Sequence, residues 1–244
     1  VSIRKLLLRA VSPALLILII AAGCTSPAQQ HVNKGDEYYK QGQYDEAIEE
    51  YGKAIALDPN LAGAYSGRGL TYQAQGESDE AVADFDKAIE LNPSIAEFYY
   101  NRGNVYLKTG RLQTAEADYS KAIELDPGFA LLYNGRGLSY SGQGQYDKAI
   151  IDFSKAIELD PNLAVAYDNR GLMYRDKGEY DTSIVDFDKA IELDPTLAKA
   201  YFNRGFAYNR KGDKEQARAD LEKCIEISTD PSLTEAAREL KERL

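Results

Sequence analysis

Apolar positions along most of the chain fall into two helical registers that alternate. In residues 96–129, Tyr99, Gly103 and Tyr106 mark one face of a first helix. Leu112, Ala115, Tyr119, Ala122 and Ile123 mark the face of a second. Gly110 stands between them and suits a helix C-terminus that needs positive φ. Asp126-Pro127 closes the second helix, because a residue before proline disfavours the α region. The spacing predicts a helical hairpin.

The same hairpin recurs every 34 residues. Prolines stand at 59, 93, 127, 161 and 195, and glycines at 35, 69, 103, 137, 171 and 205. A second glycine series runs 42, 76, 110, 144, 178 and 212. Aligned on the prolines, the repeats are 28–61, 62–95, 96–129, 130–163, 164–197 and 198–231. A glycine inside a helix costs about 1 kcal/mol against alanine. Six of them at position 8 predict a close approach of the two helices, with each glycine near the alanine of position 20, as Gly103 near Ala115. A lone hairpin cannot bury both faces, so neighbours stack. After the last repeat, Ser232 to Glu235 reads as a capping box. Leu233, Ala236, Ala237, Leu240 and Leu244 then form one apolar stripe, so 232–244 is predicted to be a capping helix.

This period and residue pattern resemble the tetratricopeptide repeat. Position 4 is Tyr65, Tyr99, Tyr133, Tyr167 and Tyr201, with His31 in the first repeat. Position 8 is always Gly and position 11 always Tyr. Position 20 is Ala in five repeats, position 24 is aromatic in five, and position 27 is Ala until Cys224. The resemblance implies an all-α fold, a right-handed α-solenoid of six tandem 34-residue helix-turn-helix repeats plus a C-terminal capping helix. It also implies protein binding rather than catalysis.

Residues 1–23 differ from the rest. They carry Arg4, Lys5 and Arg9, no acid, and an apolar run from Ala10 to Ala22. The run is short for a membrane span and reads as a secretory signal. Ala21-Ala22-Gly23-Cys24 resembles the lipobox of bacterial lipoproteins, with Ala21 where that family usually has Leu. The resemblance implies acylation of Cys24, palmitate included, and a short tether at 24–27. It places the chain on the cell envelope, with the outer membrane facing the periplasm as the expected address, since Thr25 is not the Asp of a retention signal. An uncleaved signal-anchor helix is the alternative.

Lys and Arg number 29 against 39 Asp and Glu, a formal charge of −10. A nucleic-acid binder needs a basic face, so that class is not expected. One His and two Cys leave no zinc cluster, and no phosphate or calcium loop appears. No catalytic, metal or cofactor residue is assigned, and no small-molecule substrate is expected. His31 reads as edge packing at a position held by Tyr elsewhere, and Cys224 as a buried thiol. Position 7 is Lys34, then Arg68, Arg102, Arg136, Arg170 and Arg204; position 23 is Glu50, then Asp84, Asp118, Asp152, Asp186 and Asp220. Antiparallel helices bring these positions together. Either a ladder of ion pairs such as Arg102–Asp118 forms, or each arginine stem covers apolar surface with its head in water.

In the family that the repeats resemble, first helices line the inner surface. Position 6 carries Asn33, Asn101, Asn169 and Asn203, with Gly67 and Gly135 between; Asn134 lies one place earlier and Asn104 at position 9. Asparagine is a mediocre helix former, and its amide can grip a peptide backbone in either direction. The row is either such a ladder or a repeat consensus with solvated amides. Tyr100 and Phe202, at position 5, add aromatic anchors. The Lys and Asn pattern of a carboxylate clamp is absent. The expected function is an envelope scaffold that binds an extended segment or helix of another envelope protein. A self-associating, envelope-bracing lipoprotein is the alternative.

Overall fold

Proline and glycine punctuation sets every boundary of the fold. The structure is a computed structural model that describes residues 25–244; the signal segment and Cys24 lie outside them. The described residues form thirteen α-helices and no strand. They divide into two compact units at Leu91/Asn92.

The first unit holds α1 (Pro27–Lys40), α2 (Tyr44–Leu57), α3 (Ala62–Gln75) and α4 (Ser78–Leu91). The second holds α5 (Ala96–Lys108), α6 (Leu112–Leu125), α7 (Ala130–Gly142), α8 (Tyr146–Leu159), α9 (Ala164–Asp176), α10 (Tyr180–Leu193), α11 (Ala198–Lys211), α12 (Lys214–Ile227) and α13 (Pro231–Glu242). Each odd-numbered helix up to α11 pairs with the helix after it, and α13 closes the array. The fold is the expected one: all-α, six tandem hairpins and a terminal helix.

The hairpin turn needs a left-handed residue, and Gly144 supplies it at φ 74° between α7 and α8. At the other turn, Asp160 adopts extended backbone before Pro161. Its Oδ1 then accepts the Asn162 amide at 3.0 Å, which leads the chain into the next first helix.

Positions 20 and 27 are fully buried in every hairpin, as Ala149 and Ala156 are, with Ser183 and Cys224 in place of alanine once each. The nearest neighbour of the position-8 glycine is the position-24 ring in five hairpins. A Cβ on Gly137 would lie 2.7 Å from the ring of Phe153, at position 24. The ring is the bulkiest buried group of its hairpin, so it claims the gap that the glycine opens. In the last repeat, where Leu221 replaces the ring, the backbone of Ala217 is among the nearest groups, at 3.2 Å.

The terminal helix also begins differently from the sequence expectation. Its N-cap is Asp230, whose carboxylate accepts the amides of Ser232 at 2.9 Å and Leu233 at 3.4 Å. Pro231 occupies the first helical position, where its fixed φ fits and its missing N–H is no loss. That moves the helix start ahead of Ser232, which becomes helical. Ala237 is fully buried against Leu221 and Cys224, with Leu233, Leu240 and Leu244 around it.

Candidate binding surface

In the second unit, first helices touch one another along the array: α5 meets α7, α7 meets α9, α9 meets α11, and α11 meets α13. The second helices α6, α8, α10 and α12 have no such mutual contacts. First helices therefore crowd the inside of the curve, and their exposed side chains line its inner surface.

An ion-pair ladder holds those helices in place. Arg102, Arg136, Arg170 and Arg204 each fork onto the position-23 aspartate of their own hairpin. The geometry is bidentate, with 2.7 and 2.9 Å for Arg136–Asp152. Arg136 also lies 5.8 Å from the Tyr133 ring and 5.9 Å from the Tyr140 ring. A third nitrogen reaches the preceding repeat: Arg136 donates to Ser120, Arg170 to Ser154 and Arg204 to Asp188. The ladder, not the solvated alternative, is what forms.

In the first unit Arg68 forks onto Asp84 in the same way. Lys34 and Glu50 replace the pair in the first hairpin, and Glu50 gathers His31 at 2.6 Å, Lys53 at 2.9 Å and Lys34 at 3.1 Å. His31 is thus a hydrogen-bond partner of a buried carboxylate rather than edge packing. These bonds, that of His31 foremost, hold the Glu50 carboxyl at about 2 against an ordinary 4.5. A carboxylate depressed on folding stabilises the fold above its unfolded value and loses that stabilisation as pH falls. Acid titration of wild type and Glu50→Gln will therefore show stability curves that converge between about pH 4.5 and 2. Parallel curves across that window would remove Glu50 as the cause.

The expected site residues are placed unequally. Asn33 lies in the first unit, exposed, accepting from Gln29 at 3.0 Å. Asn104 accepts the Tyr119 hydroxyl at 2.7 Å. Burial pushes the Tyr119 phenol up, so it stays the donor. Asn169 donates to Asn134 at 3.0 Å across neighbouring first helices. Asn203 donates to Asp168 at 3.0 Å and accepts from Arg175 at 2.7 Å, so both ends of its amide are engaged. Burial raises the Asp168 carboxyl above its ordinary range. Phe202 packs against the closing helix in the Leu221–Cys224–Ala237 cluster, apart from the others. Cys224 is fully buried, and desolvation pushes its thiol up to about 11.

Tyr100 and Asn101 share one place. With Ala96, Glu97, Asp126 and Phe129 they line a concavity of about 380 Å³ in the second unit. Tyr100 meets Phe129 edge-on at 5.8 Å between centroids. Asn101 is 6% exposed, and its Nδ2 is buried without a hydrogen-bond partner. Phe129, Glu97 and Asp126 were not singled out from the sequence. The available signal was departure from the repeat: position 34 is Leu61, Ile95, Leu163 and Leu197 where this repeat has Phe129.

The two glycines in the asparagine row have a structural cause. A Cβ on Gly135 would lie 2.5 Å from the Tyr119 ring, and one on Gly67 would lie 2.6 Å from the Tyr51 ring. Tyr51 donates to Asp36, at position 9, as Tyr119 does to Asn104. Where position 24 is Phe153 or Phe187, position 9 is Leu138 or Leu172 and the next repeat carries Asn169 or Asn203. Position 6 therefore follows the ring beneath it.

Family models described as TPR repeat match residues 35–76 and 171–212, and models described as tetratricopeptide repeat match 66–130, 130–163, 153–185 and 198–231. The crystal structure of MamA is 33% identical, covering 68% of this chain and 96% of MamA, with a TM-score of 0.62. The chain belongs to the tetratricopeptide repeat proteins. Another such protein, YrrB, described as having an unusual peptide-binding site, is 29% identical over 79% of this chain and 99% of its own, with a TM-score of 0.60. Stress-induced-phosphoprotein 1 of Caenorhabditis elegans is 46% identical over 41 residues, 17% of this chain and only 13% of that relative's length. Among the described residues of this tetratricopeptide repeat protein, no helix is long and apolar enough to cross a membrane, and no group of three or more His, Cys, Asp or Glu could hold a metal.

Proposed function

We infer that this protein is an interaction scaffold that grips an extended segment or helix of a partner on the inner surface of its first helices. The observation that carries the reading is the unpartnered amide of Asn101 beside the Tyr100–Phe129 concavity. A buried amide left unpaired costs stability, so a position that keeps one fits a donor held for a ligand. Aromatic anchors next to it supply the apolar contact that peptide recognition needs. The peptide-binding site described for YrrB supports the same use of the fold. Catalysis has no part in this reading. Cys24, outside the described residues, would carry the lipid that holds the scaffold on the bacterial envelope, at the outer membrane, with its partner an envelope protein.

The test uses the full chain as bait on detergent-solubilised envelope, beside a bait carrying Asn101→Ala and Asn169→Ala. The expected outcome is one dominant partner on wild type, reduced at least about tenfold on the variant. Equal capture by both would move the site off the inner surface. The second reading, self-association, draws on Ile151 and Val185, which stand 67% and 65% exposed on the second helices α8 and α10. A monomer by sedimentation across the working concentration range would eliminate it.

A further inference from the structure

The concavity at Tyr100 is lined at positions that the repeat leaves variable, with one break in an otherwise aliphatic series at Phe129. Position 2 is Gln29, Gly63, Leu131, Val165 and Lys199 elsewhere, and Glu97 here. Position 5 is Tyr100 here, against Val32, Ser66, Asn134, Asp168 and Phe202. Position 34 is Phe129 here and aliphatic in the other proline-aligned repeats. Residues that recur with the scaffold serve the scaffold, as the Arg–Asp ladder does. Positions 2 and 5 vary in every repeat and Phe129 stands where four repeats carry Leu or Ile, so the residues that meet in this concavity are not set by the scaffold.

Their chemistry selects its charge. Two aromatic faces and two carboxylates line the space, and no lysine or arginine does. Neither Glu97 nor Asp126 has an ion-pair partner among the described residues, although each second helix carries paired Lys and Glu on its outer side, such as Lys121–Glu124. Asp126 spends one oxygen on the Gly128 amide at 3.1 Å and keeps its charge exposed. Ring faces attract a cation within about 6 Å, and unpaired carboxylates beside them add Coulomb attraction. An acidic or phosphorylated group would meet only repulsion here.

We propose that this concavity is a specificity pocket for a lysine or arginine side chain of the bound segment. Its stem lies against Tyr100 and Phe129, its charge lies between Glu97 and Asp126, and the Asn101 amide donates to a backbone carbonyl of the same segment. The proposal rests on the inner-surface reading above and adds the identity of one partner residue.

The probe is a displayed library of random peptides selected on the full chain, with each enriched peptide remade with norleucine in place of each Lys and Arg. Norleucine keeps an aliphatic stem and removes the charge. The expected result is a shared basic position whose replacement weakens binding about tenfold on wild type. On a Glu97→Gln, Asp126→Asn variant the same replacement changes binding less than about twofold. Both carboxylates are exposed, and the amides keep their shape and the acceptor to Gly128, so the variant folds; a Tyr100→Ala variant weakens basic and norleucine peptides alike. Enriched peptides without a shared basic residue, or an equal loss on wild type and variant, would overturn the pocket while leaving the groove reading intact. No retained peptide at all would overturn both.

Discussion

Replacing Gly135 by Asn will destabilise the protein by about 3 kcal/mol, at the upper end of what overpacking a core costs. The substitution looks conservative, since Asn169 and Asn203 occupy the same position in the next two repeats. It is not, because its Cβ alone would lie 2.5 Å from the Tyr119 ring. That ring is fully buried and its hydroxyl is held by Asn104 at 2.7 Å, so it has nowhere to turn. Thermal unfolding should shift by roughly 6–12 °C for a domain of this size. Adding Tyr119→Phe and Asn104→Leu rebuilds the arrangement of Phe153, Leu138 and Asn169. The triple variant is expected to recover more than half of the loss. Strictly additive effects would show that ring, polar residue and glycine are not one set.

Asp152→Ala is expected to cost a similar amount, about 3 kcal/mol, for a different reason. Asp152 has 6% of its side chain exposed and Arg136 has 21%. Removing the carboxylate leaves a half-buried guanidinium clasped between two tyrosine rings with no counter-charge, and an unpaired buried charge is the costly state. Arg136→Lys should lose roughly half as much, because an ammonium cannot fork onto both carboxylate oxygens or reach Ser120 at the same time. A double-mutant cycle on the pair, read by denaturant unfolding, should give a coupling of at least about 2 kcal/mol. That coupling should change little with added salt, since the pair is shielded from bulk ions. A coupling near zero would reduce the ladder to surface decoration.

The architecture was legible because its punctuation is strictly periodic. Proline before each turn and glycine after each first helix settle where helices end, and the 34-residue step settles how many hairpins there are. Arginine at position 7 and aspartate at position 23 face each other in any antiparallel hairpin, so the ladder was visible as one of two outcomes. That the position-24 ring is the nearest neighbour of the position-8 glycine does not follow from helix spacing, because ring size decides which side chain fills the gap. Ser232 reads as a cap because its box is complete in sequence, whereas Pro231 needs the cap one residue before itself.

The asparagine row shows a deeper limit. Six asparagines are identical in kind, yet their amides end in different states. Asn203 is saturated by Asp168 and Arg175, Asn169 is tied to Asn134, and the Asn101 nitrogen is left unpartnered. For Asn169 and Asn203 the position-5 residue on the preceding first helix decides the state, and that pairing exists only once repeats are stacked. The tyrosine-to-glycine rule, by contrast, lay open in the sequence and required only that positions 24 and 6 of consecutive repeats be read together.

That rule also bears on how such an array can be shuffled. Asp36, Tyr51 and Gly67 belong together, as do Asn104, Tyr119 and Gly135. Each set starts in one first helix and ends in the next, straddling the Asp-Pro turn. A duplication or crossover cut at that turn separates a tyrosine from the glycine that accommodates it. A cut between Gly135 and Leu138 keeps every set whole. The unit that can be copied without damage therefore runs from the middle of one first helix to the middle of the next, out of phase with the hairpin that the eye picks out.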